Sequence, residues 1–218
     1  MATPWKVPKD LWRGRTVLVL ASGPSLTSLL PSIRQRLPFD DKLAAVAVNS
    51  TGINTRDDYG KVVPAAADWA DMLYAADSGW WYAHQQEALR FRGLKVTASE
   101  NSIKETLYLR PTGPDGYDPF PAHIRTGGNS AYQAMHIAAQ AGAKRILLCG
   151  VDLHTRNGVH HHGLHPQPLR NPSDGDLWFM AQRFPTFPHK ELGIEVLNCS
   201  PDSALSCFPK VPIEEALS

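Results

Sequence analysis

The sequence predicts a single α/β domain built on a twisted, mostly parallel sheet with helices on both faces. Three observations carry that expectation. Apolar runs without polar alternation recur, as in TVLVL at 16–20, LAAVAV at 43–48 and RILLCGV at 145–151. Strands buried on both faces read this way. Helical stretches alternate with those runs, which is the pattern of a parallel sheet with crossover helices. The length, 218 residues, suits one domain with a sizeable core.

Taken in order, residues 1–15 are expected to form an arm that pins Trp5 or Trp12 against the domain proper, residues 16–218. The first strand, 16–20, runs into the small-residue turn Ala21-Ser22-Gly23-Pro24-Ser25 and then a helix from Leu26 to Leu37, stopped before Pro38. The second strand, 43–48, delivers Asn49-Ser50-Thr51-Gly52 at its carboxyl end, and the polar stretch 56–60 reads as loop. A third strand over 71–76 ends at Asp77-Ser78-Gly79. Residues 80–92 read as one helix with Trp81, His84, Ala88 and Phe91 on one face. The Trp80-Trp81 face is either core or the contact surface of a homo-oligomer. Short strands follow at 94–97 and 106–109.

The stretch 111–124 (PTGPDGYDPFPAHI) has too much proline and glycine for regular structure. A loop of that length in a compact domain is expected to be a lid. Arg125-Thr126-Gly127-Gly128-Asn129-Ser130 then opens a small-residue helix over 131–141, closed by Gly142. The strand at 145–151 delivers Asp152 and His154, and the irregular segment 154–173 follows. Ser173 is the cap candidate for a helix over 174–183, and a last strand spans 194–197.

Bulk properties exclude several classes. A net charge of +1 creates no field for nucleic acid or anionic membrane. No apolar run reaches membrane-spanning length, and MATPWKVPKD lacks the apolar core of a secretory signal. Cys149, Cys199 and Cys207 read as reduced thiols of a cytoplasmic protein, and their spacing is not that of a zinc site. There is no G-x-G-x-x-G, Walker A, nucleophile elbow or H-E-x-x-H. Ordinary dinucleotide dehydrogenases, P-loop NTPases, α/β-hydrolases and zincins are thereby disfavoured.

Two sets of residues point to chemistry. The first is the group of strand-end turns. Small residues at 21–25 let a backbone approach a phosphate, and the following helix offers unpaired N–H groups and partial positive charge. Asn49, Ser50, Asp77, Ser78, Asn129 and Ser130 occupy corresponding ends, where α/β sheets collect ligand-binding groups. The plain alternative is that each is an ordinary turn. The second set is the histidine cluster: His154, His160, His161, His162 and His165, beside Asp152. It admits a metal site using His160, His162 and Asp152. It admits proton and phosphate work, with imidazolium stabilising a leaving phosphate. It also admits a solvated loop with structural bonds only.

The spaced elements resemble the bacterial lipo-oligosaccharide sialyltransferases and their Rossmann-like relatives. An N-G-P-S-L-type turn after the first strand matches Ser22-Gly23-Pro24-Ser25-Leu26, and an asparagine after the second matches Asn49. A T-S-G-type turn matches Ser130, a G-x-K-x-I-x-L-x-G-I-D segment matches 142–152, and a C-P-N-S-type turn matches Ser200-Pro201-Asp202-Ser203. The resemblance implies a Rossmann-like, nucleotide-binding domain that holds a cytidine nucleotide sugar without a metal and passes the sugar to an acceptor hydroxyl. It implies that Ser22, Gly23, Pro24, Ser25, Asn49, Asp77 and Ser130 grip the donor. His154 and His160 stand where the family has two tyrosines that steady the departing phosphate. The family's general-base histidine has no counterpart in Leu169-Arg170-Asn171-Pro172-Ser173, which leaves His162 or His165 to substitute. Arg125 is expected to pair with donor charge.

The H-x-H-G-x-H-P segment at 160–166 also looks like uncharacterised phage proteins of this fold group, which would place the chain in host cytoplasm. A related branch transfers pyrophosphate to a pterin. The alternatives are therefore a phosphoryl or pyrophosphoryl transferase using a divalent metal at Asp152 and the histidines, or a non-catalytic nucleotide-binding accessory protein. Only the first of these calls for a metal.

Overall fold

A computed structural model describes residues 1–36, 40–57, 59–165 and 167–218. Strands β1 (Thr3–Pro4), β2 (Thr16–Leu20), β3 (Leu43–Val48), β6 (Met72–Tyr74), β7 (Leu94–Thr97), β8 (Leu107–Tyr108), β11 (Arg145–Cys149) and β12 (Glu195–Asn198) form one eight-stranded sheet. Its order is β1-β8-β7-β6-β3-β2-β11-β12. Each of these pairings is parallel. Two small sheets lie outside it: β4 (Thr55–Arg56) with β5 (Val62–Val63), and β9 (Arg110–Pro111) with β10 (His123–Ile124).

The order reverses beside β2. From β2 the chain builds outward through β3, β6, β7 and β8, then returns to place β11 on the other flank of β2. Connections that leave β2 and β11 in opposite directions open a crevice at their carboxyl ends, the usual ligand position in such sheets.

Alternation along the central strands feeds two cores. Val17, Val19, Ala44, Val46, Ile146 and Leu148 face helix α4 (Ser130–Gln140), together with Tyr132, Phe184 and Phe187. Leu18, Leu20, Ala45, Ala47, Leu147 and Cys149 face helix α1 (Leu26–Arg36) and the short helix α6 (Ile213–Ala216). Ala131, Ala134 and Ala138 are buried along α4, and their small side chains let the helix lie close to the sheet. At about 25 cal/mol per Å² of apolar surface, these two cores supply the main favourable term in folding.

Several elements depart from expectation. Thr3 and Pro4 add an edge strand to the sheet. The arm continues as a strap: the Val7 N–H donates to the Pro121 carbonyl (2.9 Å), Trp12 N–H to Ala141 (2.8 Å) and Gly14 N–H to Gly142 (2.9 Å). Trp12 is buried and Trp5 packs partly against the same core. The single helix expected at 80–92 is two, α2 (Ser78–Ala83) and α3 (Gln85–Arg90), broken at His84 with ψ 18°. Trp80 and Trp81 are buried, so their face is core and not a partner surface. Of the expected loop 56–60, Arg56 is the last residue of β4, and Asp57, Tyr59 and Gly60 lie between β4 and β5, Asp58 being outside the described residues. The expected end of α1 before Pro38 also falls outside them.

The presumed lid at 111–124 is fastened to α4. The Gln140 side-chain amide donates to the carbonyls of Asp118, Phe120 and His123, each at 3.0 Å. His136 Nε2 accepts from the Asp118 N–H (2.9 Å), and the Tyr117 ring packs against the His136 ring at a tilt of 35°. Ser173 caps α5 (Asp174–Ala181) in a full capping box with Asp176, as its position predicts. No helix among the described residues is long and apolar enough to cross a membrane. Cys149 and Cys199 are buried free thiols and Cys207 is half-buried.

Candidate functional site

A cavity of about 480 Å³ opens at the carboxyl ends of β2 and β11. Ser22, Gly23, Asn49, Asp77, Asn129, Ser130, Asp152, His154, His160 and His165 all line it. A second cleft of about 660 Å³ shares Asp77, Asn129 and Ser130 and adds Ser78. Pro24, Ser25, Ser50, Arg125 and His162 line neither.

The turn after β2 is forced by crowding. A Cβ on Gly23 would stand 2.5 Å from the Gly150 carbonyl oxygen and 2.6 Å from the Asp152 carboxyl carbon. Only glycine lets these two strand ends approach so closely. Asp152 is buried and accepts from the Ser25 N–H (2.9 Å) and the Ser25 hydroxyl. Both its carboxylate oxygens therefore serve the turn, and Ser25 is turned toward Asp152. Ser50 is buried and accepts from Trp80 Nε1 (3.2 Å).

Asn49 begins a short 3₁₀ turn (Asn49–Gly52) with φ 51°, in the left-handed region. Asparagine tolerates it better than most side chains, and such strain gathers at functional sites. Leu153 takes a similar conformation, φ 56°, just past Asp152. Asn129 caps α4, its side-chain oxygen accepting from Ala131 N–H (2.8 Å) and Tyr132 N–H (3.4 Å). Its amide satisfies part of the helix terminus that an incoming anion would otherwise use. Arg125 faces elsewhere: its Nη1 donates to the Thr112 carbonyl (2.7 Å).

The segment after β11 forms a wall of the cavity through Val159, His160, His165, Pro168, Leu169, Arg170 and Pro172. It is held at several points. His161 N–H donates to the Ser22 carbonyl (2.8 Å), and His165 and Asn171 exchange hydrogen bonds between backbone and side chain. His160 Nδ1 and Ser22 Oγ are 3.0 Å apart. His154 Nε2 lies 2.8 Å from the Asp202 carbonyl, which can only accept. His154 Nε2 therefore carries a proton and donates it, and Nδ1 is buried with no partner among the described residues. The Ser200–Ser203 turn braces this end of the sheet, since Ser200 Oγ accepts from the Val151 N–H and Ser203 Oγ donates to the Val151 carbonyl.

Burial sets the charge of the cluster. It lowers His160 from 6.5 to about 3, His161 to about 4, His162 to about 2 and His165 to about 4, with neighbouring imidazoles adding to the effect at His160, His162 and His165. Near neutral pH these rings are uncharged. The imidazolium expected at His160 does not form there, and a phosphate would meet an N–H dipole. His162 is buried behind the cavity wall. One ring nitrogen from each of His160, His162 and His165 lies within 4.8 Å of the other two.

Trp80 from α2, and Asp176, Leu177 and Met180 from α5, also line the cavity. Sequence reading missed Asp176, Leu177 and Met180 because helix-borne residues far from any strand end carry no local signal, and it took Trp80, next to the Asp77-Ser78-Gly79 turn, for core or partner surface. The position of α5 directly after the histidine segment was the available hint.

No protein-family model matches the sequence, and no curated protein matches it. Among solved structures, the chain is similar to the sialyltransferase CstII from Campylobacter jejuni in complex with a substrate analogue, cytidine-5'-monophosphate. The TM-score is 0.54 at 16% identity, covering 93% of this chain and 87% of that one. A second structure of that enzyme, with CMP-3FNeuAc, matches at TM-score 0.46 and 14% identity over 92% and 87%. The likeness is one of fold: the chain has a sialyltransferase-like, Rossmann-like α/β domain.

Proposed function

We propose that the chain is a nucleotide-dependent glycosyltransferase, with a CMP-type sugar nucleotide as donor and a hydroxyl as acceptor. One observation carries this reading. Gly23, Asn49, Ser130 and His160, far apart in sequence, line one cavity at the reversal point of the sheet. The fold likeness to a sialyltransferase seen with a cytidine nucleotide supports the donor class.

In this reading the Ser22-Gly23 turn holds the donor phosphate, and Asn49 and Asp77 hold the nucleoside. The bond between the anomeric carbon and the phosphate oxygen breaks, and the phosphate leaves with the electron pair. The acceptor oxygen forms the new bond and gives up its proton. His154 is our candidate for that base: it lines the cavity, its Nε2–H is held by the Asp202 carbonyl, and its Nδ1, buried without a partner among the described residues, would take the proton once a ring shift exposes it. Of the two residues expected for the role, His162 is buried and does not line the cavity, whereas His165 does. Ser25 and Asp152 act by positioning the turn.

A screen of nucleotides and nucleotide sugars by thermal shift tests the reading, because a ligand that binds only the folded state raises the midpoint. CMP-type ligands are expected to stabilise the chain. Asn49→Gly, which keeps the left-handed backbone but removes the amide, is expected to weaken them about tenfold. His154→Gln is expected to retain nucleotide binding and lose roughly 10²-fold or more in turnover. Absence of any nucleotide-dependent shift overturns the proposal. Appearance of a phosphorylated acceptor in place of a glycosylated one would favour the phosphoryl-transfer alternative.

A further inference from the structure

We propose that His160, His162 and His165 form a three-histidine site for a divalent transition cation of the zinc class, with a remaining coordination position opening on the cavity. One ring nitrogen from each residue lies within 4.8 Å of the other two. His160 Nε2, His162 Nε2 and His165 Nδ1 are all buried and have no hydrogen-bond partner among the described residues. Buried polar atoms are normally paired, and three neighbouring imidazoles that each keep a buried ring nitrogen without a partner among the described residues ask for a shared one.

The surroundings fit a ligand set. His160 can donate through Nδ1 to Ser22 Oγ, 3.0 Å away, which turns its Nε2 lone pair inward. Metal-binding histidines characteristically use their other nitrogen in this way. The His165 backbone is clamped by Asn171. Imidazole donors select zinc, cobalt, nickel or copper over magnesium or calcium. A closed tetrahedral zinc–imidazole site spaces its nitrogens about 3.3 Å apart; the His160 and His162 rings are stacked, 5.0 Å apart at 12°, so cation binding requires one of these two rings to turn until both in-plane lone pairs meet the ion.

His160 and His165 line the cavity and His162 stands behind them. Three protein donors with a fourth position toward a cavity is the pattern of a reactive zinc, in contrast to a closed structural one. A water or a phosphate oxygen suits that position. Asp152, which the sequence grouped with these histidines, is spent on Ser25. The cation would bring positive charge to this end of the cavity. The site itself does not depend on the nucleotide reading.

The test uses the full chain without a polyhistidine tag, stripped by chelator and free of nucleotide. Zinc is titrated against a chromophoric chelator, and cobalt is followed by visible absorption. One tight cation per chain and the intense bands of four-coordinate cobalt are expected. His162→Gln and His165→Gln should each weaken zinc at least a hundredfold, and Ser22→Ala about tenfold. His161→Gln, between the donors but outside the set, should leave affinity unchanged. The cobalt spectrum of the unaltered chain needs no variant to fold. Failure of that chain to take up zinc or cobalt, or equal loading of the His162→Gln and His165→Gln variants, overturns the site and indicates a stack of neutral rings bridged by water. Failure of nucleotide binding in the separate thermal screen would leave this result standing.

Discussion

Two long irregular stretches look alike in sequence and do different work. Residues 111–124 and the described residues of 154–173 are both rich in proline and glycine. The first is tied down by α4 through Gln140, His136 and Tyr132, whose hydroxyl donates to the Gly116 carbonyl (2.8 Å). The second wraps the cavity and turns its histidines inward. Where a loop's backbone groups are paired with a helix, the loop is fixed as part of the scaffold. Where its side chains point at a cavity, it is available for chemistry. Substitutions at the anchors of the first stretch should cost stability, and those in the second should cost ligand binding.

The largest expected effect is on acid stability, through His136. Burial lowers it from 6.5 to about 3, with Asp118 opposing and Arg125 reinforcing. Above pH 6.5 the ring is neutral in both folded and unfolded chains and contributes no pH dependence. Below 6.5 the unfolded chain takes the proton first, so stability is lost as pH falls toward 3. The slope for one such group is about 1.4 kcal/mol per pH unit. His136→Gln keeps an acceptor for the Asp118 N–H and removes the titration. Urea unfolding at pH 7, 6, 5 and 4 should show a shallower decline for the variant by that amount. Parallel curves would mean that His136 takes up its proton within the fold.

Next in size, Gln140→Ala strips the donor from three carbonyls and should cost about 3 kcal/mol in unfolding free energy. Nucleotide affinity of the folded fraction should be unchanged. The smallest effect on stability is expected at Arg170→Ala. Arg170 pairs with Asp176 at the cavity mouth in a largely exposed ion pair, and such pairs contribute little to folding. Its urea midpoint should match the parent, whereas nucleotide affinity should fall. A reversal of these two outcomes would dissolve the distinction between the stretches.

Most of the sheet was legible because a strand buried on both faces needs an uninterrupted apolar run, and Val17–Leu20, Ala44–Val48 and Ile146–Cys149 have one. The strand-end turns were legible as a set, since parallel topology brings carboxyl ends together. Illegible features depend on partners distant in sequence. Thr3-Pro4 pairs because Leu107-Tyr108 offers an edge, and nothing in TPWKVP announces a strand. The order of 111–124 comes from Gln140 and His136 on a later helix. Arg125 resembles a ligand-binding cation in sequence, but the Thr112 carbonyl claims it. Asp152 likewise reads as chemistry and serves as a brace for Ser25.

Strand β1 carries a practical consequence. Because Thr3 and Pro4 cover the outer margin of β8, the sheet shows no bare N–H and C=O ladder along Leu107 and Tyr108. Shortening the chain up to Thr16 would strip that cover and pull Trp12 from its socket. The exposed margin would then template sticking between molecules. Trimmed versions should precipitate at concentrations where the intact chain stays dispersed.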